Sequence, residues 1–129
     1  MTNIEMQALT VLVVDDDDLS QSVLEGVLRN IGCKTILLAD DANTALHLAK
    51  THQPDFVTLD IYMPDVYGWA LLKQLRQASP KTRIIMVTGS NLPIDFEKSM
   101  DARADGYCIK PVLPDLMKKA MRNALSRHK

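Results

Sequence analysis

The sequence has only two cysteines, Cys33 and Cys108, no long apolar run and no excess of either charge. The cysteines fall at no metal-ligand spacing and form no disulfide framework, which suits a reducing compartment and two thiols used as small core residues. The stretch 1–10 has no cationic segment leading into an apolar one, so a secretory leader is not expected. No run of apolar residues is long enough to span a bilayer. A formal net charge of −1 leaves no basic surplus of the kind that nucleic-acid binding uses. Linkers, repeats and low-complexity segments are absent too. The expectation is a cytoplasmic protein of one domain over residues 1–129, with its core at about 10–127, no membrane insertion and no direct nucleic-acid partner.

At 129 residues, with 47% hydrophobic and 24% charged residues, the chain can bury a core without staples. Five short apolar runs recur: Val11–Val14, Ile36–Leu38, Phe56–Leu59, Ile84–Val87 and Tyr107–Ile109. They are continuous rather than alternating, as in strands covered on both faces of a parallel sheet. Their spacing of about 20–30 residues is that of a βαβ unit. The fold predicted is α/β and doubly wound.

The segments between the runs read as helices. Asp18 with Gln21 suggests a capping box, followed by a buried stripe of Leu19, Val23, Val27, Leu28 and Ile31 and a stop at Gly32. Asp40 or Asp41 opens a second helix lined by Ala42, Ala45, Leu46 and Ala49, with Pro54 closing that unit. A third runs from near Val66 to Ala78, before Ser79-Pro80. The segment Leu92–Ala104 is the weakest, with Pro93 in its first turn and Phe96 and Met100 as its contribution to the core. The last runs from about Val112 to Arg127, with Leu113, Leu116, Met117, Ala120, Met121 and Ala124 as its apolar stripe.

Four polar places follow apolar runs, at the sheet edge where open parallel sheets bind ligands. Asp15-Asp16-Asp17-Asp18 follows the first run; alone, such a cluster is a solvated loop and a helix cap. Asp60 follows the third; alone, it is a turn residue. Beside the acidic cluster, it completes an oxygen-rich pocket suited to magnesium, and an aspartate can attack phosphorus to form an acyl phosphate. Thr88, with Gly89-Ser90, follows the fourth and offers a hydroxyl, though a lone Thr is usually a cap. Lys110-Pro111 follows the fifth; its ammonium can pair with a phosphoryl group or with Asp60. Gly89 leaves room for a ligand near the backbone. His47, His52 and His128 have no supporting motif and read as surface residues.

Taken together, these positions resemble the response-regulator receiver family over nearly the whole chain. The resemblance rests on Val11–Asp16, Pro54-Asp55 through Asp60, Met63-Pro64 with Gly68, Met86–Gly89, and Asp105-Gly106-Tyr107 through Lys110-Pro111. It implies five parallel strands in the order 2-1-3-4-5 with flanking helices. It also implies that Asp60 is the phosphoacceptor, that Asp15, Asp16, Asp60 and the backbone carbonyl of Tyr62 hold Mg2+, and that Lys110 pairs with the phosphoryl group. Thr88 becomes the switch hydroxyl and Tyr107 the switch aromatic; without that role Tyr107 is a half-buried edge-strand ring. The Lys110–Pro111 bond is expected to be cis. Cys33, at the start of the second strand, and Cys108, in the fifth, lie at opposite edges, too far apart to be bridged.

The implied partners are a histidine kinase or phosphotransfer protein, a downstream protein or output domain, and a second copy of the chain through the 91–127 face. The chain is then a regulator that catalyses only its own phosphorylation and dephosphorylation. Tyr62 is bulky at a position that tunes hydrolysis in the family, and Gly89 stands where alanine is frequent. The main alternative is a receiver-like interaction module that works irrespective of phosphorylation. An aspartate-nucleophile hydrolase would want a second acid where Tyr62 stands, and a flavin-binding domain would want a glycine- and hydroxyl-rich loop where the acidic run stands.

Overall fold

The computed structural model describes residues 3–64 and 66–127; His128 falls outside them. A short helix α1 (Asn3–Gln7) leads into β1 (Thr10–Val14), α2 (Asp18–Asn30), β2 (Thr35–Ala39), α3 (Ala42–His52) and β3 (Phe56–Leu59). Then come α4 (Gly68–Ala78), β4 (Arg83–Thr88), α5 (Pro93–Asp101), β5 (Gly106–Ile109) and α6 (Pro114–Arg127). All strand pairs are parallel, and the order is β2-β1-β3-β4-β5, as the resemblance implied. The order reverses between β1 and β3, the place where open sheets of this kind form a ligand crevice.

Alternation along each central strand divides the core into two layers. Val11 and Val13 of β1 join Phe56, Ile85 and Val87 under α2 and α6, whose Leu24, Leu28, Met117 and Met121 complete that layer. Leu12 and Val14 join Val57, Leu59, Ile84 and Met86 under α3 and α4, with Ala45, Ala49, Leu71, Leu72 and Leu75. Both faces of β1, β3 and β4 are therefore covered, which is why their sequences show no polar alternation. No helix among the described residues is long and apolar enough to cross a membrane.

Several local expectations are corrected. The cap of α2 is Asp17, whose carboxylate accepts from the Ser20 amide, rather than Asp18. Gln21 completes no capping box; its Nε2 donates to the carbonyls of Asp15 (2.7 Å) and Ala39 (3.1 Å), tying the ends of β1 and β2 together. The buried stripe of α2 is Leu24, Val27 and Leu28, continued by Ile31, so Leu19 (72% exposed) and Val23 face outward. A helix rotates about 100° per residue, and a stripe centred between Val27 and Leu28 turns Leu19 well away from the sheet. Gly32 follows as expected, at φ 110°. Asp41, not Asp40, caps α3 through the Thr44 amide at 2.7 Å, a bond that holds the Asp41 carboxyl below its usual range.

Helix α4 begins at Gly68 rather than Val66, and α6 at Pro114, with Leu113 and Leu116 exposed rather than in the stripe. In α5 the buried residues are Asp95 and Ser99, not Phe96, which is 48% exposed; Met100 is partly buried against the second core layer. Cys33 lies two residues before β2, buried in the first core layer, and Cys108 sits in β5 at the opposite edge. Both are free thiols, and burial raises the pKa of each. His47 and His52 are exposed, as expected.

Candidate functional site

The strand ladders run one residue past three strands, which brings the polar places side by side. The Asp15 amide donates to Ala39 O, the Asp60 amide to Val14 O, and the Lys110 amide to Thr88 O. Asp15 and Asp60 thus emerge from neighbouring β1 and β3 at the crevice, while Lys110 reaches across from the end of β5.

The four acidic residues after β1 have separate places. Asp15 is 1% exposed, and its Oδ1 accepts from the Asp17 amide at 3.0 Å. Asp16 is exposed, Asp17 caps α2, and Asp18 opens that helix, where carboxylates suit the positive end. Carboxylate oxygens of Asp15, Asp16 and Asp60 lie within 4.8 Å of one another. An all-oxygen, acidic donor set of this size matches a hard divalent cation such as Mg2+, which keeps several waters and needs few protein ligands.

Lys110 Nζ donates to Asp15 Oδ2 at 2.7 Å and to Asp60 Oδ2 at 3.0 Å. Burial works to lower its pKa, but the hydrogen bonds and charges of the two carboxylates outweigh it, so the ammonium titrates above its ordinary value. The lysine holds together two carboxylates that would otherwise repel one another. The Lys110–Pro111 peptide is cis, as the resemblance implied.

Thr88 is fully buried at the end of β4, and its Oγ1 accepts from the Ser90 amide at 3.3 Å. Asp60, Tyr62 and the loop 88–92 border a hollow of about 450 Å3. Gly68 shapes the other side of Asp60: its amide donates to Ile61 O at 2.6 Å, and a Cβ there would strike the Asp60 carbonyl oxygen. By contrast, a Cβ at Gly89 would meet nothing within 4 Å, so the open approach there does not depend on glycine.

The Tyr62 amide donates weakly to Asp60 Oδ1, at 3.4 Å, and its exposed ring meets Tyr67 edge-on. Tyr67 stacks on Trp69, and Lys98 of α5 lies 5.4 Å over the Trp69 ring. Tyr107 is half-buried on β5; its hydroxyl donates to Ser90 O at 3.1 Å and its ring meets Phe96 edge-on. Burial raises the Tyr107 pKa.

The structure therefore brings Asp15, Asp16, Asp60 and Lys110 together, with Thr88 across the hollow and Tyr107 behind the 88–92 loop. Sequence reasoning missed Ser90 and Asp95. Asp95 is 2% exposed, and its Oδ2 accepts from Tyr62 Oη at 2.5 Å and from Ser90 Oγ. Its bond to Asp95, then burial and that residue's charge, raise the Tyr62 pKa. The available signal was the pair Asp95 and Ser99, four residues apart on one helical face, but a polar pair at that spacing reads as a solvated face.

The model of the response regulator receiver domain family matches residues 11–122. The chain is 28% identical over 116 residues to the chemotaxis protein CheY of Bacillus subtilis, covering 90% of this chain and 97% of that protein. It is 32% identical to the alkaline phosphatase synthesis transcriptional regulatory protein PhoP of the same species, covering 91% of this chain and 48% of the relative. The chain thus spans about half the length of the transcriptional regulatory proteins it matches. Among solved structures, a CheY-like receiver domain protein from Methanospirillum hungatei superposes with a TM-score of 0.81 at 30% identity, over 93% of this chain and 97% of that one. By sequence and by structure, the chain belongs to the response-regulator receiver-domain family of two-component signalling.

Proposed function

We propose that the chain is a phosphorylation switch in which Asp60 accepts a phosphoryl group from a phosphohistidine of a partner kinase or phosphotransfer protein. The observation that carries this reading is the bridge from Lys110 Nζ to both Asp15 and Asp60 across the crevice. An Asp60 oxygen forms the new bond to phosphorus as the bond from phosphorus to the donor imidazole breaks, the electron pair leaving with the imidazole.

Asp15, Asp16, Asp60 and the Tyr62 carbonyl would hold Mg2+. Bound there, the ion supplies positive charge against the oxygens of the transferring group. Lys110 supplies a second positive charge from this chain and keeps Asp60 aimed at the hollow. Thr88 Oγ1 accepts from the Ser90 amide, which leaves its hydroxyl proton to donate to a phosphoryl oxygen on Asp60. Drawing Thr88 toward that oxygen pulls on the 88–92 loop, to which Tyr107 is bonded. The face 91–127 carries an apolar hollow of about 760 Å3 lined in part by Leu92, Phe96, Ile109, Val112 and Leu116. A downstream protein, an output domain or a second copy of the chain would read the switch there.

Labelling with phosphoramidate or acetyl phosphate in the presence of magnesium tests the reading. Wild type should take label, Asp60→Asn should not, and a chelator should abolish labelling of wild type. Undiminished label in Asp60→Asn would refute the assignment.

A further inference from the structure

Helix α5 turns a carboxylate toward the site, where a packed helix ordinarily turns an apolar side chain. Among the described residues Asp95 has no cation as a hydrogen-bond partner; its Oδ2 is satisfied by the hydroxyls of Tyr62 and Ser90. A buried carboxylate left without donors is costly, so the three groups are interdependent. Tyr62 stands two residues after Asp60, and Ser90 two residues after Thr88. Both line the same hollow as Asp60 and Thr88, while Asp95 does not line it. Tyr62 is 46% exposed and its ring meets Tyr67 only edge-on, so the bond at 2.5 Å to Asp95 is what fixes its hydroxyl end.

We infer that Asp95 is a positioning residue: it fastens Tyr62 across the mouth of the acceptor hollow and Ser90 beside it, and so restricts the approach of water and small phosphodonors to Asp60. The inference rests on Asp60 as the phosphoacceptor. In the step it limits, a water oxygen bonds to phosphorus, the bond from phosphorus to the Asp60 oxygen breaks, and the carboxylate and inorganic phosphate are released, with the protons of the water going to phosphate and solvent. A ring held over the hollow excludes that water. Asp95 touches neither the acceptor nor the phosphoryl position and acts only through its two hydroxyl partners.

The test is the decay of the phosphorylated protein after labelling with phosphoramidate and magnesium and removal of the donor. Tyr62→Phe keeps the ring but loses the hydroxyl; Asp95→Ala loses the acceptor. Each should decay about five- to tenfold faster than wild type, the size expected for the net contribution of one ordinary hydrogen bond. The double variant should decay no faster than the faster single one, because both remove one interaction. Asp95→Asn, which keeps an acceptor oxygen, should stay close to wild type, a rescue that general loosening of α5 would not produce. Unchanged decay in Tyr62→Phe, or effects that multiply in the double variant, would overturn the inference while leaving the acceptor reading intact. Wild type that takes no label would overturn both. If Asp95→Ala does not fold, Tyr62→Phe and Asp95→Asn decide the matter alone.

Discussion

Helices α4 and α5 flank neighbouring strands and are of similar length, yet they are held in opposite ways. Beyond Gly68 at its start, α4 buries Leu71, Leu72 and Leu75 against β3 and β4. Helix α5 buries Asp95 and Ser99, leaves Ile94 and Phe96 outside, and is fastened to the rim of the site by hydroxyls. Apolar burial is large and indifferent to small changes at the site. A few hydrogen bonds are modest in net energy and strict in geometry. On the proposed reading, α4 holds Asp60 still and α5 responds when the surroundings of Asp60 change.

The largest effect that would sharpen this contrast is expected in α4. Leu72→Ala should lose about 2–5 kcal/mol of stability, as buried leucines do, measured as a fall in urea midpoint with an unchanged slope. An intermediate effect is expected at the start of the same helix. Gly68→Ala drives a Cβ onto the Asp60 carbonyl, and overpacking of that kind costs about 1–3 kcal/mol. Because the clash falls on the Asp60 backbone, the phosphoramidate labelling rate should fall as well if Asp60 is the acceptor proposed; a Gly68→Ala protein with wild-type stability and rate would show that α4 does not hold Asp60 in place. The smallest effect belongs to α5. Phe96→Ala removes an edge-on contact with Tyr107 from a half-exposed position and should cost about 1 kcal/mol or less. A loss as large as that of Leu72→Ala would break the comparison, since α5 would then be anchored by its apolar side chain after all.

The same two helices show how far the sequence could be read. Central strands were legible because burial on both faces leaves continuous apolar runs, and the end of α4 was legible because Ser79-Pro80 stops it. The strand-end placement of the candidate residues Asp15, Asp60, Thr88 and Lys110 was legible because each ends or directly follows one of those runs. Helix α5 was misread at Phe96: hydrophobicity favours the aromatic over its neighbour Asp95, but Asp95 and Ser99 are buried and Phe96 is not, while Met100 is partly buried as read. In α2 the same kind of error put Leu19 and Val23 inside. Both errors arise where one helix carries apolar residues on more than one face, so that the pattern admits more than one rotation about the axis.

The sequence by itself determined the parallel α/β architecture and which residues stand at the ends of the strands, because both follow from local runs and the turns that interrupt them. The tertiary structure alone decided that Lys110 bridges Asp15 and Asp60, that Asp17 rather than Asp18 caps α2, and that Asp95 joins Tyr62 to Ser90. Lys110 and Asp15 are 95 residues apart, and Tyr62 and Asp95 are 33 apart. No local pattern reports such a pairing; it exists only once the sheet has set the loops side by side and burial has made each polar group seek its partner.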